Sequence, residues 1–157
     1  MRVFLIRPDL TGFALVAQWI EQEPSNLLVA GSIPAEGALV GKGVMNNIQL
    51  ELLAREFLAA YEAKDLQTIS SKLAEGVVVK DWNLEVVGKT QVLREFAKNF
   101  EESRSLSIQI VQLHSSENGV AAEVEIKINE VEILRVVDVL TISENSEITS
   151  IVSYKGL

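Results

Sequence analysis

After Met45, apolar side chains recur at helical spacing. Leu50, Leu53, Phe57, Ala60 and Tyr61 fall near i, i+3, i+7 and i+10/11, with Glu and Arg opposite, which predicts an amphipathic helix to about Lys64 capped by Asn46 or Asn47. Asp65 then reads as the N-cap of a short second helix, Leu66 to Leu73, ended by Glu75-Gly76. Val77 to Trp82 is short and β-branched, so a strand is expected there. Gly88 closes a loop, and Thr90 is placed to cap a third helix running to about Phe100. Val92, Leu93, Phe96 and Phe100 would face inward from it.

The period then changes from helical to two. Leu106 to Leu113 leads into the polar turn Ser115 to Gly119, whose Asn118-Gly119 pair suits a hairpin. Val120, Ala122, Val124, Ile126 and Ile128 alternate with Glu123, Glu125 and Lys127, the clearest strand pattern in the chain. Val131 to Ile142 reads as a long strand, Ser143 to Ser146 as a turn, and Glu147 to Tyr154 as a last strand. Helices first and a meander afterwards predict an α+β domain: an antiparallel sheet with its helices on one face.

Composition narrows the chemistry. With 48% hydrophobic residues in 157, the chain can bury a single core. A net charge of −8 argues against a nucleic-acid surface and against anionic membranes, and no stretch approaches a membrane span. There is no cysteine and one histidine, His114, which sits beside a polar turn and is expected to face water. Thiolate chemistry, disulfides and His- or Cys-rich metal sites are thereby excluded. No metal or cofactor is expected, and proton chemistry must rest on Asp, Glu, Tyr or Lys. The acids Glu101, Glu102, Glu123 and Glu125 read as solvated faces.

Residues 1–44 follow a different logic. Val16 to Gln22 can be encoded by a string that resembles the D-arm of a transfer RNA gene. Ala30 to Ala35 can be encoded by GCA GGT TCG ATT CCT GCA, which carries a TTCGA loop motif flanked by complementary GCAGG and CCTGC. The codons for Glu23 to Val29 supply the length of an anticodon arm, with Ser25 at the anticodon. The expectation is a non-native extension translated from a transfer RNA gene, with the domain starting at Met45. A genuine amphipathic extension that packs on the domain is the alternative, and codons that break the stem pairing would rule out the transfer RNA origin.

Two acids stand out by position. On the long strand Leu134, Val136, Asp138, Leu140 and Ile142 share a face, and Asp138 is its one polar member. Burial there would raise its pKa and let a neutral carboxylic acid donate a hydrogen bond. The alternative is a structural acid paired with Arg94 or Arg135. Asp81 follows Val77 and Val79 on one face where a strand gives way to a loop. It is either a general base at a pocket mouth or a loop acid in solvent.

The stretches LAREFLAAYEAKDLQTI (53–69), VVVKDW (77–82), VVGKTQVLREF (86–96) and VVDVLTISENSEITSIVSY (136–154) resemble the nuclear transport factor 2-like superfamily over residues 45–157. SnoaL-like proteins, ketosteroid isomerases and polyketide cyclases share this cone-shaped α+β roll, a curved antiparallel sheet with three N-terminal helices. The resemblance implies that Asp81 stands where the isomerases carry their proton-shuttling base. Asp138 stands at their protonated oxyanion-hole acid. It also shows a departure: Phe57 occupies the place of the phenolic oxyanion donor, and Phe96 that of a neighbouring tyrosine. Phe57, Tyr61, Trp82 and Phe96 are the expected substrate-binding residues, their alternative being core or pocket wall.

Three function classes follow: an isomerase, cyclase or dehydratase on an apolar substrate with an acidic C–H; a non-catalytic binder of a small hydrophobe; or an association domain. A cytoplasmic homodimer with a small hydrophobic ligand is expected. Asp81 and Asp138 in one cavity would favour the enzyme. A filled cone would favour association.

Overall fold

The computed structural model describes residues 45–156, so the expected extension at 1–44 lies outside the described residues. The chain order is α1 (Asn47–Glu62), α2 (Leu66–Lys72), β1 (Leu73–Lys80), β2 (Glu85–Val87), α3 (Lys89–Glu102), β3 (Leu106–Ser115), β4 (Gly119–Ile128), β5 (Glu132–Ile142) and β6 (Ile148–Lys155). The six strands form one open, curved sheet in the order β2-β1-β6-β5-β4-β3, and the helices line its inner face.

Local chemistry sets the helix ends. The Asn46 side chain accepts the Gln49 N–H at 2.9 Å while the Gln49 side chain accepts the Asn46 N–H at 3.0 Å, a reciprocal box that starts α1. Asp65 caps α2 by accepting the N–H groups of Gln67 and Thr68. The Thr68 hydroxyl first, and then these backbone bonds, hold its exposed carboxyl below the usual carboxylate range. Between the two helices Lys64 takes a left-handed φ of 58°. Its ammonium reaches the carbonyls of Phe100 and Ser103, a cation at the C-terminal end of α3.

Three expectations change in detail, and a fourth, the hairpin at Asn118-Gly119, forms as expected with a different use of its glycine. Thr90 does not cap α3; Gly88 does, at a φ of 93° that favours glycine, and no side chain bonds the cap. Glu75-Gly76 does not end α2 but lies inside β1, where the β1–β6 register shifts between Leu73 and Val78. The Asn118-Gly119 hairpin forms without a left-handed residue at either position. Gly119 is needed instead for close approach: a Cβ there would lie 2.4 Å from the Leu140 carbonyl oxygen on β5. Finally, β1 runs parallel to β6, while the other four strand pairings are antiparallel.

Strand alternation fills the cone. Val120, Ala122, Val124, Ile126 and Ile128 of β4 and Leu134, Val136, Leu140 and Ile142 of β5 are buried against Leu50, Leu53, Phe57, Leu58 and Tyr61 of α1. On β3 the inward phase slips at a bulge between Ile110 and Gln112, which leaves Val111 exposed. His114 and the Glu101, Glu102 and Glu123 side chains are exposed, and Glu125 is half-buried beside Arg135.

Candidate functional site

Asp138 lies mid-strand on β5, between Ala122 of β4 and Ser153 of β6 in the pairing register. Its partner is neither arginine. The Ser153 hydroxyl donates to Asp138 Oδ1 at 2.5 Å, and Arg135, on the opposite face, meets Glu125 at 3.6 Å. Burial raises the Asp138 pKa to about 6, against the lowering pull of the Ser153 hydrogen bond. With Oδ1 occupied, Oδ2 is the oxygen left to carry and donate a proton.

Asp81 follows β1 directly. Its Oδ1 accepts the N–H groups of Asn83 and Leu84, both at 2.7 Å, while its own N–H donates to the Leu84 carbonyl at 2.9 Å. The carboxylate therefore builds the turn into β2 and is held rigid by it. A second carboxylate oxygen retains acceptor capacity.

Tyr61 comes from the last turns of α1, wedged edge-on against Phe96 at 5.1 Å and Phe100 at 4.8 Å between ring centroids. Asn99 Nδ2 of α3 donates to its hydroxyl oxygen at 3.2 Å. Burial first, then the negative charges of Asp138 and Asp81, push its phenol well above the ordinary value.

These groups meet in one cavity. Its walls are Phe57, Leu58, Tyr61, Val79, Asp81, Phe96, Ile108, Ile126, Asp138, Ile151 and Ser153. Its volume is about 30 Å³, room for roughly one water. The polar side chains of this wall are two carboxylic acids, a phenol and a serine hydroxyl; none is cationic. Of the sequence-derived candidates, Asp81, Asp138, Phe57, Tyr61 and Phe96 are brought together. Trp82 is not part of that wall; it packs against the core with its indole N–H buried and unpartnered. Among the described residues no group of three His, Asp or Glu side chains is placed to hold a metal ion.

Two residues of the site were missed from the sequence. Ser153 shares a period-two face with buried Ile151, and Asn99 lies three residues after Phe96 on the buried stripe of α3. For Asn99 a lone polar residue on an apolar face was the available signal, the same one that marked Asp138, whereas the period-two face of Ser153 also carries Thr149 and Lys155 and gave no such signal.

Three helices on the inner face of one curved, open six-stranded sheet make the α+β cone of the nuclear transport factor 2-like class. Within it, the chain belongs to the SnoaL-like domain family, whose profile matches residues 54–151. No curated protein matches the chain. Among solved structures, a candidate ketosteroid isomerase from Kribbella flavida is similar at 18% identity and a TM-score of 0.63, over 71% of this chain and 80% of that one. A candidate SnoaL-like polyketide cyclase from Shewanella denitrificans aligns at 17% identity and 0.62, covering 71% and 92%. A protein of unknown function with a cystatin-like fold from Methylobium petroleophilum aligns at 14% and 0.65, covering 73% and 80%. At these identities the likeness concerns the fold. Among the described residues no helix is long and apolar enough to cross a membrane.

Proposed function

We propose that this protein binds a small, neutral, hydrophobic carbonyl compound and moves a proton at the carbon next to its carbonyl, in the manner of a ketosteroid isomerase. The observation that carries this reading is the meeting of Asp81, Asp138 and Tyr61 in one otherwise apolar cavity. Asp81 takes the proton. The electron pair of that C–H bond forms the new C=C bond, and the carbonyl π pair moves to oxygen. Protonated Asp138 donates a hydrogen bond to that oxygen from Oδ2. Asp81 then returns the proton to the same or a conjugated carbon, so no oxidant or reductant is consumed. A wall without a cation selects against carboxylate and phosphate substrates.

The cavity's small volume favours a second reading, a filled cone whose role is association. A ligand larger than a water enters only if the cavity wall parts. The two readings separate in heavy water with cyclopentanone as probe. A proton-transfer site exchanges the α-protons for deuterium above the buffer rate, followed by proton NMR, and an inert cone does not.

The reading includes a homodimer formed by the outer sheet face. Val137 and Tyr154, direct cross-strand partners on β5 and β6, are both exposed there, as is Ile133. An exposed apolar patch of this kind suits a second copy of itself. Sedimentation velocity is expected to show a dimer that Val137→Glu converts to monomer; a monomeric wild-type chain refutes it.

A further inference from the structure

We infer that Asn99 is a positioning residue that turns the Tyr61 hydroxyl into the cavity, making Tyr61 a second hydrogen-bond donor to the substrate oxygen beside Asp138. The inference rests on the proton-transfer reading above. A tyrosine hydroxyl has one proton to give and two sites at which to accept. Asn99 Nδ2 fills one acceptor site at 3.2 Å, so the phenol proton is not spent on Asn99. Around Tyr61 the rings of Phe57, Phe96 and Phe100 offer no oxygen or nitrogen. The polar groups that share its cavity are those of Asp81, Asp138 and Ser153, where a substrate carbonyl would sit.

The backbone that carries Asn99 is held in place. Asn99 is only 5% exposed, and its carbonyl accepts both the N–H and the hydroxyl of Ser103. Lys64 ties down the same last turn through Phe100 and Ser103. Asn99 Oδ1 is buried without a partner. Rotating the amide would put that oxygen on the hydroxyl and consume the phenol proton between α1 and α3. An unpaired buried oxygen is retained, and in exchange the phenol is free to donate inward. During the reaction the Tyr61 O–H keeps its proton and hydrogen-bonds the oxygen as it gains charge; Asp81 alone carries the transferred proton.

The polarity of this contact has a signed test. Difluorotyrosine is placed at position 61 of the full chain, its phenol acidified so that it titrates while the protein stays folded, and its ionisation is followed by fluorine NMR. A donor to the oxygen favours the phenolate, so Asn99→Leu is expected to raise the phenol pKa by about one unit. A fall or no change shows the amide accepting the phenol proton and overturns the inference. Should Asn99→Leu not fold, Asn99→Ser, too short to reach, takes its place. In the cyclopentanone assay Tyr61→Phe is expected to lower kcat ~10²–10³-fold and Asn99→Leu roughly tenfold, both with KM unchanged. Undiminished exchange in Tyr61→Phe overturns this inference alone. No exchange in the wild type removes the proton-transfer reading and the catalytic use of Tyr61 together, while the fluorine titration still judges the direction of the hydroxyl.

Discussion

Asp138→Asn is expected to abolish a loss of about 2–3 kcal/mol in stability that the wild-type protein suffers between about pH 4 and about pH 7. The cause is a carboxyl buried in an apolar cone, whose pKa rises from 3.8 to about 6 by desolvation. Below the unfolded value both states hold the proton and nothing is lost. Between the two values the unfolded chain releases its proton while the folded chain keeps it, so stability falls as pH rises. Above about pH 6 both states are ionised and the loss is complete. Asparagine keeps an oxygen to accept the Ser153 hydroxyl but has no charge to bury. Its leftover N–H group costs about 1 kcal/mol at every pH, so the informative quantity is the wild-type minus variant difference along the series. Urea unfolding at stepped pH measures it, and a difference that does not change with pH refutes the buried titrating acid. Asp65 pulls the other way, since its lowered pKa adds stability that is lost as pH falls, below the window of Asp138. The same protonation sets activity. If Asp138 must donate to the substrate oxygen, kcat/KM for exchange falls as pH rises through about 6, the value of the free protein.

Asp81→Asn is expected to lower cyclopentanone exchange by roughly 10²–10⁴-fold while leaving stability within about 1 kcal/mol. The turn after β1 needs only an acceptor for the N–H groups of Asn83 and Leu84, and an amide oxygen supplies one. What asparagine lacks is the basic second oxygen. Parallel exchange and urea-unfolding measurements check both halves. If exchange persists in Asp81→Asn, the base lies elsewhere. If exchange is lost together with several kcal/mol of stability, Asp81 is a turn-former whose removal disturbs the cone.

Several elements were legible because the cause is local. The α1 stripe, the β4 alternation and the inward position of Asp138 follow from the periods of helix and strand, and all are buried where those periods place them. Lys64-Asp65 marked the helix-helix turn because a cap is a short-range hydrogen bond. Thr90 misled for the same reason: a hydroxyl near a helix start signals a cap, yet Gly88 had already supplied the backbone geometry. The strand β2 escaped notice because three residues, Glu85 to Val87, are too few to display alternation.

The sequence by itself determined the helix-then-meander order, the apolar faces that enclose a core, the acidity of the surface and the one acid on the inner face of β5. These depend on neighbours within a few positions. Only the tertiary structure decided which groups meet. It ran β1 parallel to β6, gave Ser153 to Asp138 in place of an arginine, and set Asn99 against Tyr61 across 38 positions of chain. It also set Trp82 apart from the cavity that holds the two acids. Contacts of that kind are fixed by strand register and helix packing. No period in the sequence encodes them, because a side chain's partner depends on where the rest of the chain has folded.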